Sequence, residues 1–309
     1  MSTAPARQTA AHGAFGWAEF SLYVLTVFSW STSWFAIKMQ IGPVPVLESV
    51  LYRFMIAAVV MVAWVLVSGR QVRFPARLHI RFALMGALMF STNFALFYVA
   101  AQWLTSGLLA VVFSLVTVLN PISAAVFLKE RIEPRVLLGA VIGICGIALI
   151  FGPEVIRPQT GMAALAGLAC AAAGTLCFSL GNIVATTVHR EGHPVVSSNA
   201  WGMIYGVAVL AAVVVVAGDP PVFDTRTTYL VSLMWLATVA TVIPMWSYLT
   251  LMRRIGPGRA GYATVMFPIG ALVISWLFEG YEWHWMAIAG LALAIAGNLF
   301  VLGRARRPA

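Results

Sequence analysis

Ten runs of about 20 mostly apolar residues, parted by short polar stretches, constrain this chain more than any other feature, because a helix of that length crosses the hydrocarbon core of a bilayer. The runs fall at 20–39, 48–67, 81–101, 106–127, 134–152, 162–187, 195–217, 229–251, 259–278 and 284–302. Together they use roughly 200 of the 309 residues. Two tails and nine short loops remain, which leaves no room for a soluble domain. The chain is 61% hydrophobic and 9% charged, whereas a water-soluble surface needs about a quarter of residues charged. Strands are excluded because an open sheet edge has no hydrogen-bond partners in lipid, and no ten-residue alternation of a barrel strand is present. The fold class is an all-α integral membrane protein with ten transmembrane helices.

Lysine and arginine set the expected orientation. With the N-terminus in the cytoplasm, the inner segments hold fifteen of the nineteen basic residues, clustered at Arg70 to Arg81, Lys129 to Arg135, Arg190, Arg253 to Arg259 and the tails. The outer loops hold only Arg157 and Arg226, and Lys38 and Arg53 fall within spans. A multi-pass protein of the cell membrane, the inner membrane of a bacterium, with both termini cytoplasmic is expected. The net charge of +9 is thereby a matter of topology, and no nucleic-acid partner is implied.

The two halves repeat. "GAVIGICGIALIFG" (139–152) and "GLALAIAGNLFVLG" (290–303) align small residue on small residue at an offset of 151. An acidic turn precedes each, "KERIEP" with Glu130 and Glu133, then "FEGYEW" with Glu279 and Glu282. Pro121 and Pro268 sit in the spans before those turns. Five spans per copy is an odd number, so the second copy enters the membrane upside down. The basic residues agree, since the turn after span four carries three and its counterpart after span nine carries none. Inverted repeats of this kind build transporters with a midplane site between the halves.

The "WSTSWFAIK" of span one (30–38), the "YRF" of span two (52–54) and the proline-containing fourth and ninth spans, each followed by an acidic turn, resemble the drug/metabolite transporter superfamily in its ten-helix, EamA-type branch. The resemblance covers nearly the whole chain. It implies a cytoplasmic tail 1–19, EamA-like repeats at 20–152 and 162–303, and a basic tail 304–309. It also implies small-molecule transport, often the export of amino acids or related metabolites. The chain departs from the family's Gly-Glu turns at "LKER" and "FEGY".

Residues three and four apart share a helix face. Span six carries Thr175, Ser179, Asn182 and Thr186 as one polar stripe. Similar faces carry Ser31, Trp34 and Lys38; Asn93, Phe97 and Tyr98; Phe113, Thr117 and Asn120; Thr238, Thr241, Met245 and Tyr248; and Tyr262. Such stripes satisfy one another pairwise between helices or line a shared wet cavity. From them a substrate site is expected at Ser31, Trp34, Lys38, Asn93, Phe97, Tyr98, Asn120, Ser179, Asn182, Thr241, Tyr248 and Tyr262. Lys38 either snorkels to the interface, meets an anionic group in an outer vestibule or pairs with Glu48. A Glu48–Arg53 pair is the other candidate gate. Spans five and ten, rich in small residues, are expected as scaffold or as a homodimer contact.

No carboxylate or histidine falls deep in a span, which favours facilitated alternating access over proton coupling. No nucleotide-binding loop, metal-ligand run or cofactor motif occurs, and the three cysteines read as small hydrophobes. A membrane-embedded enzyme or a receptor is the less favoured class. The substrate expected is a neutral or zwitterionic small molecule with an apolar side chain, an amino acid first and a lipophilic amine drug, carried by proton-coupled efflux, second.

Overall fold

The structure is a computed structural model that describes residues 16–156, 161–218 and 220–302. The two tails' basic residues and Arg157 lie outside the described residues. Ten helices appear at the expected places: α1 Trp17–Lys38, α2 Val46–Val67, α3 Ala76–Ala100, α4 Ser106–Leu128, α5 Pro134–Ile156, α6 Gly161–Arg190, α7 Val195–Ala217, α8 Thr227–Ile255, α9 Ala263–Phe278 and α10 Trp285–Leu302. Among the described residues there is no strand. Large apolar side chains such as Val59, Leu137 and Trp276 are exposed around the bundle, as befits a protein whose solvent is lipid.

The ninth span starts later than its hydropathy suggests. Gly256 ends α8 with a φ of 85° and Pro257 opens a separate turn, Pro257–Ala260, so α9 proper begins at Ala263. The same break occurs in α4, where Ser114 and Leu115 interrupt the helix between Phe113 and Val116. Both broken helices then carry the same pentapeptide pattern, "TVLNP" (117–121) and "TVMFP" (264–268), 147 positions apart. A proline inside a helix offers no N–H to the carbonyl four residues back, so the carbonyls of Thr117 and Thr264 lose their helical partner. The third helix of each half is irregular too: α3 is π-helical over Gly86–Thr92 and α8 over Trp235–Val242. Irregular backbone at membrane depth is tolerated only inside protein or beside a cavity.

The halves exchange helices as they pack. α1 lies on α8 and α9 of the second half, and α6 lies on α3 and α4 of the first. α2 packs on its counterpart α7, and α5 on its counterpart α10. The α5–α10 contact is the most intimate, because Gly146 faces Gly290 and Gly139 faces Gly297 across it. The glycine rows of spans five and ten therefore serve a contact within one chain.

Candidate functional site

The interior of the bundle encloses a cavity of about 360 Å³ between the halves. Its aromatic wall is Trp30 and Trp34 of α1, Phe94 and Phe97 of α3, Phe113 of α4, Phe178 of α6, Tyr248 of α8 and Phe267 of α9. The rings meet edge to face for the most part: Trp34 and Phe97 have centroids 4.9 Å apart, Phe113 and Phe178 5.0 Å apart. Trp34 is instead stacked on Phe267 at 6.5 Å. The polar lining is small. Asn182 Nδ2 donates to Asn120 Oδ1 at 3.3 Å, and Asn93 Nδ2 donates to the Gly174 carbonyl at 2.8 Å, leaving the buried Asn93 Oδ1 unpartnered. Ser33, Thr264 and Arg53 complete it. The freed carbonyl of Thr264 belongs to a residue of this wall.

Among the described residues no carboxylate and no histidine lines the cavity. The carboxylates with shifted protonation outside the spans are not among the lining residues. Arg81 beside Glu191 holds its carboxyl below the usual range across a 2.5 Å contact, and Arg226 does the same for Asp224 at 2.6 Å. A depressed carboxyl pKa stabilises the fold at neutral pH, and that contribution is lost as pH falls through it.

The two ends of the cavity differ. At the arginine-poor end, α9 packs on the Ser106–Phe113 segment of α4, with Leu272 against Gly107. Glu279, at the end of α9, accepts from the Ser106 N–H at 2.9 Å, from Ser106 Oγ at 2.5 Å and from Ser275 Oγ. A carboxylate at the first turn of α4 is also favoured by the helix dipole. Lys38 Nζ ties the end of α1 to the α3–α4 loop through the carbonyls of Ala101 (2.5 Å) and Leu104 (3.1 Å). At the arginine-rich end the symmetry-related contact is slighter: among the described residues the Val116–Leu128 segment of α4 makes no extensive contact with Pro257–Ala260. Glu130, the counterpart of Glu279, pairs instead with Arg190 at the surface.

The sequence profile of the EamA-like transporter family matches residues 17–152 and 165–303. The chain belongs to the EamA-like transporter family. It is 24% identical over 297 residues to Protein PagO of Salmonella typhimurium, covering 92% of this chain and 95% of that one. It is 23% identical over 299 residues to the uncharacterized inner membrane transporter YedA of Escherichia coli K12, covering 94% and 92%. The uncharacterized transporter YoaV of Bacillus subtilis is 21% identical over 248 residues, covering 80% and 84%. A solved crystal structure superposes with a TM-score of 0.62 at 18% identity over 92% of this chain and 96% of that one, which speaks for the fold alone. This EamA protein is a membrane transporter and not an enzyme.

Of the residues expected at the site, the EamA cavity gathers Trp34, Asn93, Phe97, Asn120, Asn182 and Tyr248, with Arg53 added from the expected gate. Thr241 stands behind that wall, accepting from Arg53 Nη2 at 3.3 Å and donating to the Leu236 carbonyl at 2.7 Å. The others lie off the cavity for identifiable reasons. Ser31 Oγ donates to the Phe267 carbonyl at 2.9 Å and stitches α1 to α9. Ser179 Oγ is spent on Ser123 Oγ at 3.0 Å. Tyr98 is fully buried and donates to Gln40 at 2.6 Å. Tyr262 sits in the turn before α9, 40% exposed. Lys38 neither reaches the cavity nor pairs with Glu48, because two backbone carbonyls hold it. Glu48 and Arg53 do not pair either: five residues along a helix turn them to different faces, and Glu48 accepts from the Val222 N–H at 2.8 Å. Trp30, Ser33, Phe94, Phe178, Thr264 and Phe267 were not in the expected set. Trp30 stands four residues before Trp34 and Phe178 four before Asn182, so helical spacing carried a signal for both.

Proposed function

We propose that the protein exports a small metabolite, an amino acid with a large apolar or aromatic side chain, by alternating access around the central cavity. The observation that carries this reading is the lining itself: eight aromatic rings beside three asparagines, one arginine, a serine and a threonine. Rings of that number suit an apolar side chain, and 360 Å³ holds a molecule of amino-acid size. The mixed polar groups suit a carboxylate and an amine together. The orientation read from the basic residues, with both termini cytoplasmic, makes the sealed end the outer one, so the cavity loads from the cytoplasm. A lipophilic amine fits less well, because the one charged lining residue is a cation.

The test is counterflow in proteoliposomes preloaded with phenylalanine, leucine or a lipophilic amine. Phenylalanine exchange is expected, and Trp34→Ala, which removes the ring at the centre of the aromatic wall, is expected to slow it about tenfold or more, the scale of losing one aromatic contact. Exchange of the amine without phenylalanine overturns the reading. An imposed pH gradient is expected to leave the rate unchanged, since the described lining holds no side chain that titrates near neutrality.

A further inference from the structure

We infer that Arg53 is the carboxylate anchor of this transporter, and that recognition rests on the carboxylate far more than on any amino group; the inference deepens the function proposed above and rests on its cavity. Arg53 is 2% exposed and is one of the residues that line the cavity. Its protein partners are neutral. Nη2 donates to Thr241 Oγ1 at a long 3.3 Å, the Tyr98 hydroxyl stands close enough to interact with the guanidinium, and no carboxylate pairs with it. The guanidinium carbon lies 4.4 Å from the Phe94 ring centroid and 5.2 Å from that of Phe54, which holds the planar group in place without neutralising it. Glu48, the one acid on the same helix, points to a different face, where its Oε2 accepts from the Val222 N–H and the Tyr52 hydroxyl and its Oε1 has no hydrogen-bond partner.

An ion at membrane depth is costly unless it is paired or hydrated, and such residues mark substrate pathways. A guanidinium also presents its donors as a planar fork matched to a carboxylate. Here the described lining contains no anion to meet it, so the solute supplies the counter-charge. The opposite pole is unequal. An ammonium group meets only neutral lining residues, the three asparagines, Ser33 and Thr264, and the aromatic rings. A ligand that keeps its carboxylate and loses its amine therefore retains most of its recognition. A ligand that keeps the amine and loses the carboxylate brings a second cation to a cavity that already has one.

Calorimetric titration of the purified protein in nanodiscs with L-phenylalanine, 3-phenylpropionate and L-phenylalaninamide tests this. The acid is expected to bind within about tenfold of phenylalanine, and the amide about tenfold to a hundredfold more weakly, the range of a hydrogen bond to a charged group. Arg53→Gln is expected to erase that ranking, and Arg53→Lys to keep it in weakened form. Amide binding as tight as that of phenylalanine, or a ranking that survives in Arg53→Gln, overturns the assignment. Should Arg53→Gln fail to fold, the wild-type ranking alone decides. If none of the three binds while acetate or pyruvate does, in a manner lost with Arg53→Gln, the anchor stands and the aromatic amino-acid reading falls. If no carboxylate binds at all, the anchor falls.

Discussion

Gly290→Ala is expected to cripple the folded protein although it adds one methyl group. A Cβ at position 290 would stand 2.5 Å from the Gly146 carbonyl oxygen and 2.6 Å from Ile150 Cγ1. The first of these neighbours is backbone, which no rotamer change can move. A Cβ on Gly146 meets the Gly290 carbonyl at 2.6 Å, and Gly139 and Gly297 oppose each other in the same way two turns along. In lipid the association of helices rests on close van der Waals packing, since the tails are as apolar as the side chains. Forcing α5 and α10 apart loses that packing along their whole length. The cost of overpacking is about 1–3 kcal/mol or more per site, and Gly290→Val exceeds Gly290→Ala. Gly152 is the internal control. It lies on the same α5, and a Cβ there has nothing within 4 Å. Gly152→Ala is expected to leave the thermal midpoint unchanged or to raise it, since alanine is favoured over glycine inside a helix by about 1 kcal/mol. Melting followed by size exclusion in detergent reads both variants. Equal midpoints for Gly290→Ala and Gly152→Ala would remove the α5–α10 seam from its place at the centre of the fold.

The same seam shows why the number of helices and their pairing could be read from the chain while the site could only be read in part. Span length and the bias of basic residues follow from the bilayer, which acts on every residue alike, so ten helices and their doubling were legible. The boundary of α9 was not, because apolar hydropathy runs on through the turn that Gly256 and Pro257 introduce. The duplicated "TVLNP" and "TVMFP" were present to be read, yet their consequence, a carbonyl without its helical partner in each broken helix, is a matter of backbone and not of side-chain polarity. Among polar side chains, bonding capacity sorted part of the outcome, although the short Ser33 and Thr264 line the cavity and the longer Lys38 and Tyr98 do not. Asn93, Asn120 and Asn182 carry more donors and acceptors than one neighbour satisfies, and reach the cavity. Ser31 and Ser179 are satisfied by one partner each and vanish into helix contacts. Aromatic residues gave the weakest signal, since a phenylalanine facing lipid and one facing the cavity, such as Phe178 or Phe267, look the same in an apolar helix.

Glu279→Ala is expected to open the cavity to the arginine-poor side of the membrane, and Glu130→Ala is not, although the two residues occupy matching places in the two repeats. Glu279 joins the end of α9 to the first turn of α4 by accepting from the Ser106 N–H and both serine hydroxyls. The two bonds from Ser106 cross from one half to the other, while that from Ser275 stays within α9, and charge-assisted bonds of this kind are worth about 1.5–3 kcal/mol. Glu130 holds only exposed Arg190, a pair worth about 0–1 kcal/mol. If the halves alternate, breaking the Glu279 tie shifts the balance toward the state open at that end by about tenfold or more. Ser33→Cys, a near-isosteric probe on the cavity wall, reports the shift once Cys145, Cys170 and Cys177 are replaced by alanine. A membrane-impermeant thiol reagent added from the arginine-poor side is expected to label it about tenfold faster in Glu279→Ala than in the parent, with no change in Glu130→Ala. Glu279→Gln, which still accepts from Ser106 but without charge, falls between. Equal labelling in all of them, in protein that melts normally, would mean that Glu279 caps α4 without latching the two halves together.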